Sequence, residues 1–280
     1  MGFTDTISEI RNLDAKCRAN GSVAWYRGHK IDTFDLKSTL HRHVDRFIGP
    51  IKVPLAPEAK RDVLRNEYKT LYRRFKADAW PLLSDIERSD WGVIFSMQHN
   101  GLPTRLLDWS ENMAAGIFFA QFGRDRTTDA ALWVLDPQVL NQASIGVDGL
   151  VALDEDMSSA TVNATSWHPK WTAPVADLPS IAVASIFTNA RMTAQRSAFT
   201  LQGDTFAPLD QECPSLVTDG HLQRFVLPAN EFDDVEDFLA AVGFTPFTVY
   251  PDLQGLALRH VADTERRLRD AKRWYPSFYD

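Results

Sequence analysis

The chain has 280 residues, 30 basic and 37 acidic side chains, and a formal charge of −7, which excludes a protein that coats nucleic acid through overall basicity. Hydrophobic residues make up 44% and charged residues 24%, which excludes intrinsic disorder as the main state. Only Cys17 and Cys213 occur, neither with a Cys or His at metal-ligand spacing, which argues against a disulfide scaffold and a structural zinc site.

Thr6 and Glu9 stand at capping-box spacing, and Ile7, Ile10 and Leu13 form a stripe, predicting a helix from Thr6 to about Ala19. Val23 to Gly28 reads as a strand with Val23, Trp25 and Arg27 on one face and Ala24 and Tyr26 on the other. Residues 29–55 are mixed and Pro-punctuated, and a helix is predicted from about Glu58 to Lys76. Its stripe of Val63, Leu64, Tyr68, Leu71 and Phe75 encloses Glu67, which predicts a buried carboxylate in need of a partner.

A helix over Trp91–His99 is followed by Gly101-Leu-Pro103, a strand over Thr104–Trp109, and a helix over Glu111–Phe122 capped by Ser110. Ala130–Leu135, Ile181–Phe187, Ala198–Gln202 and Leu222–Leu227 read as further strands, while 141–179 reads as an irregular insertion or lid. Asn230 is placed to cap an amphipathic helix ended by Gly243, and a polar helix closes the chain. Helices and strands alternate without strict βαβ spacing, predicting an α+β fold. The expected division is one domain over 1–258, with an N-terminal helix over 1–21, and a helical extension over 259–280. No apolar run reaches a membrane-spanning length and no signal peptide pattern opens the chain, so a cytoplasmic protein with no membrane partner is expected.

No Walker loop, G-x-G-x-x-G, G-x-S-x-G or H-E-x-x-H motif is present. Among the histidines only His41 and His43 are closely spaced, without a carboxylate cluster beside them, so no metal is expected. The dense features are Trp25-Tyr-Arg-Gly28 and Gln98-His-Asn-Gly-Leu-Pro-Thr-Arg-Leu-Leu-Asp-Trp-Ser110. Each has a structural reading, in which Arg27 pairs with Glu67 or Asp108, or Arg105 with Asp108. His99 either satisfies the turn that follows it or acts on a ribose or a proton near neutral pH.

Together these segments resemble the FRG-domain family, named for a Phe/Tyr-Arg-Gly tripeptide. Tyr26-Arg27-Gly28-His29 is similar to that eponymous motif, Glu67 and Phe75 to the family's E…F helix, and Gln98–Ser110 to its most distinctive segment. Arg191–Leu201 and Tyr250–Ala257 are similar to its later motifs, with Gln254 in place of the usual acid. The family occurs in bacteria and phages beside toxin-like and defence genes.

A weaker resemblance is to ADP-ribosyltransferases, in which a first-strand aromatic-Arg-Gly binds NAD, a second strand runs into a helix, and a later strand offers Glu or Gln to the ribose. It implies a split antiparallel sheet flanked by helices, NAD as substrate and no metal. Tyr26, Arg27, Gly28, Thr104, Arg105 and Ser110 then bind the cofactor, with Gly28 letting the backbone approach it, and Arg27, His99, Asp108 and Gln195 are catalytic. Gln195 lacks the charge of the usual Glu, so Asp108 or Glu67 takes that role or Gln195 only positions the ribose.

The leading expectation is an effector that modifies RNA, DNA or protein as a toxin or anti-phage component, restrained by a neutralising antitoxin or defence partner. Alternatives are a non-catalytic nucleotide- or peptide-binding module and, more weakly, a metal-independent nuclease using His99 and acids. The mixed charges of Arg259–Arg273 read as a solvated helix face rather than a nucleic-acid contact.

Overall fold

The structure is a computed structural model and describes residues 2–48, 56–153, 164–170, 177–185 and 190–274. Helix α1 (Phe3–Ala19) starts before Thr6, since Asp5 accepts the main-chain N–H of Gly2 at 3.0 Å. Strand β1 (Trp25–His29) alternates as predicted, Trp25 entering one apolar cluster and Ala24 and Tyr26 another. The stretch read as irregular holds helix α2 (Thr39–Ile48), which buries Leu40 and Val44 one turn apart.

Helix α3 (Pro57–Ala79) buries Leu64, Tyr68 and Tyr72. Val63, Leu71 and Phe75 are only partly buried and Glu67 is exposed, so the predicted buried carboxylate is corrected: the stripe is turned away from Glu67. Ser89 caps helix α4 (Asp90–His99) by accepting from Gly92 N at 3.0 Å, and strand β2 (Leu106–Ser110) follows. Helix α5 (Met113–Gln121) is capped by Asn112, which accepts from Ala114 N at 2.9 Å, and not by Ser110, whose hydroxyl accepts from Asn112 N.

Strand β3 (Ala130–Leu135) has the predicted bounds. Helix α6 (Pro137–Ile145) replaces the start of the predicted irregular region, with Asp136 as its cap and Gly146 at φ 68° as its stop. Residues 154–163 and 171–176, the centre of the expected lid, lie outside the described residues. Strand β4 (Ile181–Val183), helix α7 (Ala190–Ala194) and strand β5 (Ser197–Leu201) follow. Helices α8 (Leu209–Glu212) and α9 (Pro214–Thr218) then lead to strand β6 (Leu222–Leu227). Helix α10 (Phe232–Ala241) follows a 3-10 turn over Ala229–Glu231, so Asn230 lies before its start and does not cap it. Helices α11 (Pro246–Val249) and α12 (Leu253–Trp274) close the described chain.

Among the described residues the six strands pair antiparallel in the order β4-β5-β2-β1-β3-β6, with one isolated parallel bridge from Val151 to Val183 of β4, which gives the expected mixed α+β architecture. The central join differs from the others. β1 meets β3 along five register pairs and β2 meets β5 along five, but β1 and β2 share only Tyr26↔Ser110. The cores follow this division. Trp25, Leu107, Trp109, Trp133 and Ala198 form one cluster spanning both halves, whereas the opposite face carries two. Leu106, Phe199 and Leu201 pack with α3 and α4, and Tyr26, Leu132 and Val134 pack with α1, α5 and α10.

Helix α5 touches β1 backbone to backbone. A Cβ on Gly28 would lie 2.1 Å from the main-chain oxygen of Gly116 and 2.2 Å from Ala120 N, and one on Gly116 would lie 2.7 Å from Tyr26 Cβ. The glycine of the Tyr26-Arg27-Gly28 tripeptide therefore admits a helix, where the sequence suggested a ligand. Neither buried backbone can yield without lifting α5, so Gly28→Ala is expected to cost about 2–3 kcal/mol. The urea midpoint should fall at an unchanged slope; a loss too small to measure would contradict this contact.

Candidate active site

Where β1 and β2 part, a cleft of about 750 Å³ opens, lined among others by Arg27, His29, Gln98, His99, Asp108 and Gln195. Arg27 spans the opening. Its Nε donates to Nε2 of His29 at 3.0 Å, and its Nη1 donates to the main-chain carbonyl of Asp108 at 2.6 Å and lies 3.8 Å from the carboxylate. Among the described residues no hydrogen-bond partner reaches Nη2, which leaves that edge of the guanidinium to the cleft.

His29 fixes this orientation. Because its Nε2 accepts from Arg27, its proton sits on Nδ1, which donates to the carbonyl of Phe34 at 3.1 Å. Burial, and then the charge of Arg27, pushes the ring down to about 3, so it remains a neutral acceptor across physiological pH. Burial, partly offset by Asp108, brings Arg27 down to about 10, which still leaves it charged at neutral pH. The sequence placed His29 in the motif with Tyr26-Arg27-Gly28 but gave it no role, although two residues apart on a strand means one face.

Asp108 is held from the other wall. The main-chain N–H of Leu106 donates to Thr104 Oγ1 at 3.0 Å, Thr104 Oγ1 donates to Gln98 Oε1 at 2.5 Å, and Gln98 Nε2 donates to Asp108 Oδ2 at 2.8 Å. An ionised carboxylate can only accept, so Asp108 takes the amide N–H of Gln98, which turns the Gln98 Oε1 toward Thr104 and makes the Thr104 hydroxyl the donor to it. The Asp108 side chain remains 55% exposed in the cleft.

A third wall comes from far along the chain. Arg191 at the start of α7 donates through Nε (3.1 Å) and Nη2 (2.5 Å) to Asp252 and lies over the Tyr250 ring, 5.3 Å from its centroid. The Gln195 side-chain amide donates to the carbonyl of Val249 at 3.3 Å, and the main-chain carbonyl of Gln195 accepts from Ser110 Oγ at 2.6 Å. The Arg191–Leu201 and Tyr250–Ala257 segments thus meet at the cleft, where Arg191, Gln195 and Tyr250 all line it.

Residues 22–129 match the family model of the FRG domain. This part of the chain is an FRG domain. Strand β3 begins just after it, and Arg191, Gln195 and Tyr250 lie beyond it, so the cleft joins the FRG domain to chain outside the match. The chain matches no curated protein and no solved structure.

Within the FRG domain, Arg27, Gly28, His99 and Asp108 line the cleft, as does Tyr26, which is nevertheless buried with its ring among α1 and α5. Thr104 and Ser110 are buried and reach the cleft only through Gln98 and Gln195. Arg105 pairs with Asp204 at 2.9 Å, which corrects the expected pair of Arg105 with Asp108, and of the two partners expected for Arg27 it is Asp108 and not Glu67 that it meets. His99 is exposed and lines the cleft, while Asn100 bonds the Ser96 carbonyl and Gly101, at φ 78°, forms the turn.

His41 is buried between Ser38 and the carbonyl of Gly203 while His43 is exposed, so the two histidines face apart. Among the described residues no group of three or more His, Cys, Asp or Glu is placed to hold a metal, and no helix is long and apolar enough to cross a membrane. The cleft lining carries Arg27, Lys30, Arg42 and Arg191 against Asp35 and Asp108, an excess of two positive charges on a chain of −7.

Proposed function

We propose that the cleft binds NAD and that the protein cleaves its nicotinamide–ribose bond, passing ADP-ribose to a macromolecule. The parted sheet carries this reading: a guanidinium on one central strand and a carboxylate on the other face a shared cavity of about 750 Å³ with an excess of positive charge. The order of parts, an aromatic-Arg-Gly strand, a strand running into a helix, and a later glutamine, resembles that of ADP-ribosyltransferases with their split antiparallel sheets. A cellular role as a toxin or anti-phage effector, restrained by a neutralising partner, is part of the proposal.

In this reading the open edge of Arg27 forks onto the diphosphate oxygens, and Gln195 positions the ribose. The C1′–N bond breaks with its electron pair going to the pyridinium nitrogen, so nicotinamide leaves neutral. Asp108 stabilises the positive charge that develops on the ribose. An acceptor oxygen or nitrogen bonds to C1′ and gives up its proton to His99 or to water.

Incubation with labelled NAD tests this by following nicotinamide release and label transfer. Asp108→Asn keeps the shape and removes the charge, and is expected to slow release about 30-fold, equivalent to about 2 kcal/mol, with little change in NAD affinity. The neutral Gln195 favours the second reading, a binding module without turnover. NAD bound by a folded sample with no nicotinamide released would establish that reading instead.

A further inference from the structure

We infer that the acceptor is single-stranded nucleic acid, docked along the loop after β1 and the outer face of α2; this rests on the cleft being the NAD site. The loop puts Phe34 at the cleft, 45% exposed, beside Lys30. Arg42 of α2 lines the same cleft, and Arg46 stands one turn further along that helix face. Phe47, 64% exposed, lies beside Arg46, whose Cζ is 5.8 Å from the ring centroid, and tilted against His43 at 4.7 Å.

Cations and exposed rings therefore alternate from the cleft outward, with Asp35 beside Phe34 and near Arg42 as the acid among them at the cleft. Asp45, the acid on this helix, is held by both Lys37 and Lys60 and subtracts little from the patch. Large apolar rings left in water beside guanidinium groups suit a ligand with both phosphates and open π-faces. A duplex hides its base faces, and an acidic peptide has no faces to stack, so single-stranded RNA or DNA fits best. The overall charge of −7 confines this attraction to the patch, which then directs the strand to the cleft. Transfer follows the balance given above, the acceptor heteroatom being a base nitrogen or a sugar hydroxyl.

Fluorescence anisotropy with labelled oligouridine, oligothymidine, a duplex of equal length and a poly-glutamate peptide reads the surface directly. The intact protein is expected to bind the two single strands more tightly than the duplex or the peptide, and to lose affinity with added salt. Arg46→Glu should weaken binding at least tenfold and Phe47→Ala at least fivefold, while both leave NAD hydrolysis to water unchanged. Both side chains project into solvent, so the melting temperature should not move. The ratio of oligouridine to oligothymidine affinity tells RNA from DNA.

Single strands that fail to bind at low salt, or bind both variants as tightly as the parent, would overturn the inference. So would a peptide that binds as tightly as the single strands and is released by Arg46→Glu but not by Phe47→Ala, which would make the partner an acidic protein. NAD cleavage without oligonucleotide binding removes this inference alone. Oligonucleotide binding without NAD cleavage removes the enzymatic reading and the acceptor role with it.

Discussion

Asp204→Ala is expected to destabilise the protein by about 3–5 kcal/mol, because it strands a buried arginine. Asp204 has a fully buried carboxylate. Its Oδ1 accepts from Arg105 Nη2 at 2.9 Å, and its Oδ2 accepts from Arg65 Nη2 at 2.5 Å and from Leu178 N at 3.1 Å. Arg105 is almost fully buried and otherwise has the Gly203 carbonyl at 3.2 Å and the Tyr68 ring face. The variant leaves that charge without a counter-ion between β2 and the segment following β5, while the partly exposed Arg65 can reach water. Adding Arg105→Met to Asp204→Ala removes the stranded charge and should recover at least half of the loss in urea unfolding; recovery of nothing would place the cost elsewhere.

The same carboxylate gives a pH dependence with a definite sign. Burial alone would raise it, but the hydrogen bond from Arg65 and the charge of Arg105 hold it below the ordinary range. A depressed carboxylate contributes stability that is fully present above its unfolded value, about 4, and is lost as pH falls through the folded value. The parent should therefore lose stability more steeply below about pH 4 than the alanine variant, and their difference should shrink with acid.

Particular residues show how far the sequence could be read. The period-two pattern of β1 separated Trp25 from Tyr26 correctly because a strand fixes its faces locally. The same rule separates Arg105 from Asp108, an odd number of positions apart on the strand predicted over Thr104–Trp109, and applying it would have excluded their pairing. The true partner, Asp204, is 99 positions from Arg105, a distance no local pattern encodes. Glu67 failed for a different reason: many rotations of α3 bury comparable apolar area, and contact with neighbouring elements selected the one that buries Tyr72.

The cleft residues were legible as motifs but not as roles. Arg27, His99, Asp108 and Gln195 were named from segments that the fold brings together, yet the neighbouring Thr104 and Ser110 turn out to support Gln98 and Gln195. Arg42 escaped notice because α2 was read as irregular; Leu40 and Val44 supplied its helical spacing. The relay from Leu106 to Asp108 could not be seen at all, since it depends on the turn at Gly101 folding α4 back onto β2.

Loss of the Arg27 guanidinium is expected to have the largest effect on turnover. Two charge-assisted hydrogen bonds to a diphosphate, each of about 1.5–3 kcal/mol, predict a fall of about 10³-fold in kcat/KM for NAD cleavage in Arg27→Ala. Arg27→Lys is the sharper variant. It keeps a positive charge in the cleft but has no planar fork, and one ammonium cannot serve His29, the Asp108 carbonyl and a phosphate pair together. A loss of about 10²-fold is expected for lysine, carried mainly by KM, because the phosphates are bound alike before and during bond cleavage. The fold should tolerate lysine, since β1 is held by five register pairs to β3 and by α5 against Gly28. A lysine variant as active as the parent would show that point charge suffices and that the orientation imposed by His29 has no role in binding. A variant lowered in kcat alone would move Arg27 from the diphosphate to the reacting ribose.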